Sequence, residues 1–353
     1  MRTMSDPTSQ SDADPRERAD RALTEVVRLL DRSLAPRQKV QAFRTAQDVV
    51  RGLDGEDLAQ RVDAGTLTEL DGIGPSTGSV ISAAVAGTEP RYLRDLEQST
   101  RIDEGVGGPV LEQLRGDCHS HTTWSDGGAS LEEMARAAMT LGHEYLVVTD
   151  HSPRLTVAHG LSPERLAAQL EEIAALNEQL APFRLLTGME VDILVDGTLD
   201  LDDELLAQLD VVVASVHSKL SMPEDQMTRR MVMAAASPHV DILGHCTGRK
   251  VVGGGRPQSK FDPDYVFAAC AQFGTAVEIN CRPERQDPPE ELLDAALRWG
   301  CHISIDTDAH APGQLEWLPY GADKAVRCEV PVERIVNTWA ADELLEWTAS
   351  HPG

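Results

Sequence analysis

Between residues 116 and 310 the chain repeatedly enters a short apolar run and leaves it on a histidine or a carboxylate. Runs at 145–149, 185–189, 211–216, 240–243, 276–279 and 302–305 have the length and β-branched content of buried strands. Amphipathic segments at 131–141, 163–180, 228–236, 264–273 and 290–299 alternate with them at helical spacing. With a further strand near Asp117, the alternation predicts about seven βα units and hence a barrel-like α/β domain.

The positions of the polar residues narrow the reading. Asp117-Cys-His119-Ser-His121 closes the first strand, and Asp126 follows in its loop; His151 closes the second, Glu190 the third, His217 the fourth and His245 the fifth. Asp308 and His310 close the last. In a barrel of parallel strands the C-terminal strand ends share one rim, where sites are built. A lone histidine after a strand is ordinarily a hydrogen-bonded core or surface residue, but six strands ending this way predict convergence. Neutral imidazole with carboxylate suits Zn, Mn or Fe(II). Nine donors (His119, His121, Asp126, His151, Glu190, His217, His245, Asp308 and His310) are too many for one tetrahedral ion, so two or three divalent metal ions are expected. The remaining histidines lie off this pattern.

Acidic residues outnumber basic ones 58 to 32, for a net charge of −26. A global basic stripe is therefore absent, which argues against avid nonspecific DNA binding but leaves room for a local contact. Bound cations would also reverse the field at a metal site. With aromatics at 4%, base-stacking platforms are not expected. The six cysteines include no C-x-x-C pair, and reduced thiols are expected. Residues 1–18 are polar and expected to be disordered, and no stretch is apolar enough to span a bilayer, so a cytoplasmic protein with no membrane partner is expected.

Residues 19–104 read as a separate helical domain, 105–115 as a glycine-rich linker and 116–350 as the α/β domain. Within the helical part, Leu70-Asp-Gly72-Ile-Gly74-Pro-Ser-Thr-Gly78 fits a helix-hairpin-helix. Such a hairpin contacts a DNA phosphate with its glycine turn and following helix start, without reading sequence. Gly72, Gly74, Ser76 and Thr77 are the expected contacts, although a plain αα-hairpin turn explains the motif nearly as well.

The motif series resembles a known family. Gly116-Asp-Cys-His-Ser-His121, Ser125-Asp126-Gly, Thr149-Asp-His151-Ser, Gly188-Met-Glu190-Val-Asp-Ile-Leu, Ser215-Val-His217-Ser and Asp306-Thr-Asp308-Ala-His310 look like the PHP (polymerase and histidinol phosphatase) superfamily. They resemble in particular its branch at the C-terminus of bacterial family X DNA polymerases. The resemblance implies a distorted (β/α)7 barrel, preceded here by the small all-α helix-hairpin-helix domain, and a trinuclear centre. His119, His121, Glu190 and Asp308 would hold one metal; Glu190 would bridge to a second held by His217 and His245; Asp126, His151 and His310 would hold the third. Cys246 departs from the branch, which commonly has proline there, and Asn280-Cys-Arg-Pro-Glu-Arg285 stands where smaller residues are usual. Lys219, Arg249 and Arg282 lie just beyond ligand positions and are the expected phosphate contacts, a solvated surface charge being the plain alternative for each.

Phe43-Arg-Thr-Ala-Gln-Asp-Val-Val50, the hairpin and the 86–96 segment resemble, in order, the N-terminal helical domain of the same polymerases, while the intervening polymerase palm is missing. Val80 falls where lyase-active relatives carry a Schiff-base lysine, and no lysine occurs between Lys39 and Lys219. An imine mechanism needs an amine, so no such lyase activity is expected. The expected function is metal-dependent phosphoester hydrolysis on DNA, as a 3′–5′ exonuclease, 3′-end processing enzyme or abasic-site nuclease, with a weak backbone grip. A phosphomonoesterase acting on a small phosphorylated substrate, of the histidinol-phosphatase kind, and a non-catalytic repair-associated binding module are the alternatives.

Overall fold

Seven strands set the frame of the α/β part: β1 (Gly116–Asp117), β2 (Tyr145–Val148), β3 (Arg184–Asp192), β4 (Val211–Ser215), β5 (Ile242–Leu243), β6 (Ala276–Asn280) and β7 (Ile303–Asp306). They are parallel and lie in sequential order, so each connection crosses over on the outside of a nearly closed α/β barrel. The chain is described as a computed structural model covering residues 14–103, 105–252 and 254–351. It divides into two compact units at Ile102 and Asp103.

In the first unit, α1 (Pro15–Arg32) packs on α2 (Arg37–Arg51), α3 (Gly55–Ala64), α4 (Pro75–Val85) and α5 (Arg91–Thr100). Leu23, Val26 and Leu30 recur on one face of α1 and meet Phe43, Val50 and Ile81 in the core. Val80, at the position expected to lack a lysine, is fully buried in that core. Of the segment expected to be disordered, residues 1–13 lie outside the described residues. Residues 15–18 instead begin α1, whose first turn is capped by the Asp14 carboxylate accepting from the Arg16 amide at 2.9 Å.

The second unit begins at Asp103, two residues before the segment expected to be a linker. Within that segment α6 (Gly108–Leu111) packs on a later helix, α13 (Leu318–Arg327), and Val110 enters the barrel core. One apolar residue in a glycine-rich run was too little signal to mark an ordered turn. The outer layer comprises α7 (Leu131–Thr140), α8 (Pro163–Leu180), α9 (Asp203–Leu206), α10 (Glu224–Ala235), α11 (Pro263–Phe273), α12 (Glu290–Trp299), α13 (Leu318–Arg327) and α14 (Ala341–Thr348). Helix α10 starts four residues before the expected segment because its first turn is polar, with Glu224 and Asp225 favourably placed at the positive end of the dipole. Strand β3 runs past Met189 to Asp192, so Glu190 lies within the strand rather than after it.

The seam between β7 and β1 carries one isolated backbone bridge, Ser120 with Ala309, and is otherwise closed by side chains. The Cys118 amide donates to Asp306 Oδ1 at 2.8 Å, and Thr307 Oγ1 donates to Asp117 Oδ2. Asn337 fills the gap, donating to Asp306 Oδ1 at 2.8 Å and accepting from the Ile305 amide at 2.7 Å. Among the described residues no helix is long and apolar enough to cross a membrane.

Candidate metal centre

Glu190 occupies the middle of the barrel mouth, 1% exposed. Its Oε2 lies 2.9 Å from His151 Nδ1, 3.4 Å from His119 Nε2 and 3.5 Å from His121 Nε2. Its Oε1 lies 2.9 Å from His245 Nε2 and 3.2 Å from His217 Nε2. Asp308 Oδ1 is 3.4 Å from His121 Nε2, and Asp126 Oδ1 is 3.5 Å from both His151 Nε2 and His310 Nε2. The nine side chains singled out in the sequence therefore converge on one rim. Three overlapping donor groups arise: His121, Asp126, His151 and His310; His119, His121 and Glu190; and His151, Glu190 and His217.

The donor set fits divalent cations. Both Glu190 oxygens, both nitrogens of His121 and of His245, and His119 Nε2 are buried without a hydrogen-bond partner. Buried polar atoms are otherwise paired, and so many orphans facing one carboxylate are explained by ions between them. Burial pushes the Glu190 carboxyl up, but His217, His119 and His151 outweigh it and hold it well below its ordinary range. Burial likewise opposes ionisation of Asp308, and Arg282, His121 and Arg285 hold it low. Burial, then Arg285, brings His245 down to about 4, and burial, then His121 and Arg282, depresses His310. The ionised carboxylates and the neutral imidazoles of His245 and His310 are what hard-to-borderline metal ions require. Backbone strain is concentrated here too, with Asp308 at φ 51° and His245 at φ 21°.

A second ring of carboxylates orients these side chains, and the sequence reasoning overlooked it. Glu278 on β6 accepts from His119 Nδ1 at 2.6 Å and from the His245 amide. Asp192 accepts from the His217 amide at 3.1 Å and lies 3.4 Å from His217 Nδ1. Asp150 gathers Thr122, Ser125 and Gln169, fixing the loop that presents Asp126. The available signal was a charged residue inside an otherwise apolar strand, as in Ala276-Val-Glu278-Ile.

The expected phosphate contacts fare differently. Arg282 reaches the centre: its Nη1 donates to the Asp308 carbonyl at 2.9 Å and lies 3.0 Å from His310 Nδ1, while Nε and Nη2 bond Glu284. Lys219 is exposed on the rim, at φ 54°. Arg249 points its guanidinium into the loop after β6, donating to the carbonyls of Arg285 and Gln286, so it ties two loops together instead of facing the mouth. Arg285, passed over in the sequence, places Nε 3.2 Å from Asp308 Oδ2, and its Nε and Nη1 have no hydrogen-bond partner.

In the helical unit the hairpin turn is present, with Gly72 at φ 91° and α4 starting at Pro75. Gly72 and Ser76 are exposed. Thr77 is buried, and its hydroxyl accepts from the Gly74 amide at 2.9 Å, so this threonine holds the turn rather than offering its hydroxyl to a ligand. The Gly74 amide is used by the same bond.

The PHP domain model matches residues 117–248. The chain is 42% identical over 227 residues to the DNA polymerase/3′-5′ exonuclease PolX of Bacillus subtilis (strain 168), a match covering 64% of this chain and 40% of that protein. It is 30% identical over 205 residues to a probable phosphatase of Thermoanaerobacter sp. (strain X514), covering 55% of this chain and 78% of that one. Among solved structures, the histidinol phosphate phosphatase of Lactococcus lactis, complexed with zinc, L-histidinol and phosphate, is similar over 61% of this chain and 92% of its own, at 18% identity and a TM-score of 0.42. The chain thus spans less than half of the Bacillus relative but most of the Thermoanaerobacter one. On the matched motif region and an alignment at 30% identity over 78% of the Thermoanaerobacter relative, the chain belongs to the PHP-domain family.

Proposed function

We propose that this chain is a metal-dependent phosphoester hydrolase acting on DNA, as a 3′–5′ exonuclease, end-processing enzyme or abasic-site nuclease. The observation that carries the reading is Glu190, whose two unpartnered oxygens are ringed by five imidazoles. His119, His121, Glu190 and Asp308 would hold one ion, Glu190, His217 and His245 a second, and Asp126, His151 and His310 a third. Zinc, manganese or iron, held there, would supply an acidified water and neutralise charge on phosphoryl oxygens. The chain's own residues do the positioning: Glu278 and Asp192 fix the faces that His119 and His217 present, and Arg285 offers unpaired donors beside Asp308. Support for DNA comes from the PolX likeness and from the hairpin, where Gly72 and Ser76 are the outward candidates for a weak phosphate contact.

A phosphomonoesterase is the second reading, favoured by the relatives named probable phosphatases, one of which this chain covers over 78% of its length. A panel of gapped, 3′-blocked and abasic DNA beside histidinol phosphate, run with Mn, Zn and Fe(II), separates the two. DNA cleavage lowered about 100-fold or more by Asp308→Asn is expected, since Asp308 is a donor to the centre and anchors Arg282 and Arg285. Turnover of histidinol phosphate alone would transfer the assignment to the second reading, and no cleavage of any ester would end both.

Metal loading should also release protons. Burial disfavours charged His217, but Glu190 and Asp192 overcome it and raise the ring to about 9; burial is likewise outweighed at His119 by Glu278 and Glu190. Both rings are therefore protonated in the metal-free protein at neutral pH, whereas a ligating imidazole is neutral. Apparent metal affinity should rise as pH rises towards about 9 and fall steadily below it. Calorimetric titration with Zn in two buffers of different ionisation enthalpy reads the released protons; identical heats in both would contradict the expectation.

A further inference from the structure

The loop after β5 is unlike the rest of the molecule. From Gly244 to Phe261 it holds Arg249, Lys250, Arg256 and Lys260 and no acidic residue, in a chain where acids outnumber bases 58 to 32. Lys250 and Lys260 are exposed and Arg256 is half-buried, and among the described residues none of the three has a carboxylate within ion-pair distance. The loop is pinned rather than loose. The Lys250 and Arg256 amides and carbonyls pair reciprocally at 2.9 Å, and the Val251 amide donates to the Glu284 carbonyl at 2.7 Å. Arg249 bonds the Arg285 carbonyl at 3.1 Å, so the loops after β5 and β6 form one wall.

That wall is continuous with the centre. The backbone pairing of Lys250 with Arg256 and of Val251 with Glu284 brings these cations beside the β6 loop; burial, then Arg285 and Arg256, lowers the Lys250 ammonium against Glu284, and burial, then Arg285, lowers Arg256 against Asp287. Arg285 is in turn 3.2 Å from Asp308. The rim segment after β3 is the opposite, with Asp196, Asp200 and Asp202 and no lysine or arginine between Ile193 and Asp202. Lys250 and Arg256, with like-charged Arg285 as a neighbour and, among the described residues, no carboxylate at ion-pair distance, are stabilised by an anion that joins them. Their number exceeds what one phosphate ester needs, and exposed Val251 and Val252 beside them suit the apolar parts of sugars and bases.

We infer that Arg285, Lys250 and Arg256 form a phosphate track along the β5–β6 side of the mouth, which seats the sugar-phosphate backbone of a single nucleic-acid strand running outward from the metal centre. The inference rests on the hydrolase reading for where the strand ends, but the contacts stand apart from turnover. The test uses the full chain, with 5′-fluorescein hexathymidylate for binding and p-nitrophenyl phosphate for turnover. Lys250→Ala/Arg256→Ala should weaken hexathymidylate binding about tenfold or more at low salt and reduce the slope of log K against log salt by about 1.4, the loss of two single-strand phosphate contacts. Arg256→Lys with Lys250 intact should retain the wild-type slope, and thermal unfolding of each variant guards against misfolding. An unchanged slope in the double alanine variant would overturn the track while leaving hydrolysis intact. A protein that cleaves no ester yet loses slope in that variant would overturn the hydrolase reading and keep the track.

Discussion

Replacing Glu190 by glutamine is expected to lower phosphoester turnover at least about a thousandfold, several kcal/mol of lost transition-state stabilisation. Glu190 belongs to two of the three donor groups, and each of its oxygens faces imidazole nitrogens on both sides. Glutamine keeps the shape but removes the charge and turns an NH2 towards nitrogens that need an electron-poor centre opposite them. Ion content should fall with activity, because the groups that share Glu190 lose their common donor. Metal analysis after gel filtration, paired with turnover at saturating Mn, reads both effects. A variant with wild-type metal content and activity within tenfold would show that the carboxylate is a structural counterion to the histidines and not a bridging ligand.

The histidines and carboxylates of the rim were legible because they stand just past apolar runs, where chain direction alone dictates which end they reach. His119, His151, His217 and Asp308 could be placed this way without any knowledge of register. The supporting ring could not. Glu278 and Asp192 lie inside strands, and their partners, His119 and His217, are brought to them only by the closure of the barrel. Arg249 was expected at the mouth and Arg285 was not, for a similar reason: each follows a strand by a few residues, and the bond between the β5 and β6 loops decides which of the two guanidinium groups faces Asp308. Thr77 illustrates the limit within the hairpin, since its fit to a DNA-binding motif and its use as a cap predict the same residue type. Helix boundaries were most accurate where caps coincide with the apolar pattern, as at Pro163–Leu180, and least where a polar first turn precedes it, as in α10.

Glu278→Gln should separate orientation from ligation. Glu278 is fully buried and acts through His119 Nδ1, the His245 amide and Asn280 Nδ2 at 3.2 Å. A carboxylate accepting from Nδ1 fixes the tautomer that leaves His119 Nε2 free to face Glu190, and it raises the basicity of that nitrogen. Glutamine has one acceptor oxygen for these three donors, so either the His119 ring or the His245 amide loses its partner, and the His245 turn is already strained at φ 21°. The expected result is a loss of about 10- to 100-fold in metal affinity, the range typical of an orienting partner. Because every donor atom of the centre is still present, excess metal should restore most of the turnover, a rescue that Glu190→Gln cannot show. Titrating turnover against Mn for both variants reads the difference: a shifted midpoint with a recovered plateau for Glu278→Gln, and a collapsed plateau for Glu190→Gln. If the plateau of Glu278→Gln also collapses with metal fully bound, Glu278 takes part in the chemistry itself and the two-ring description of the centre is wrong.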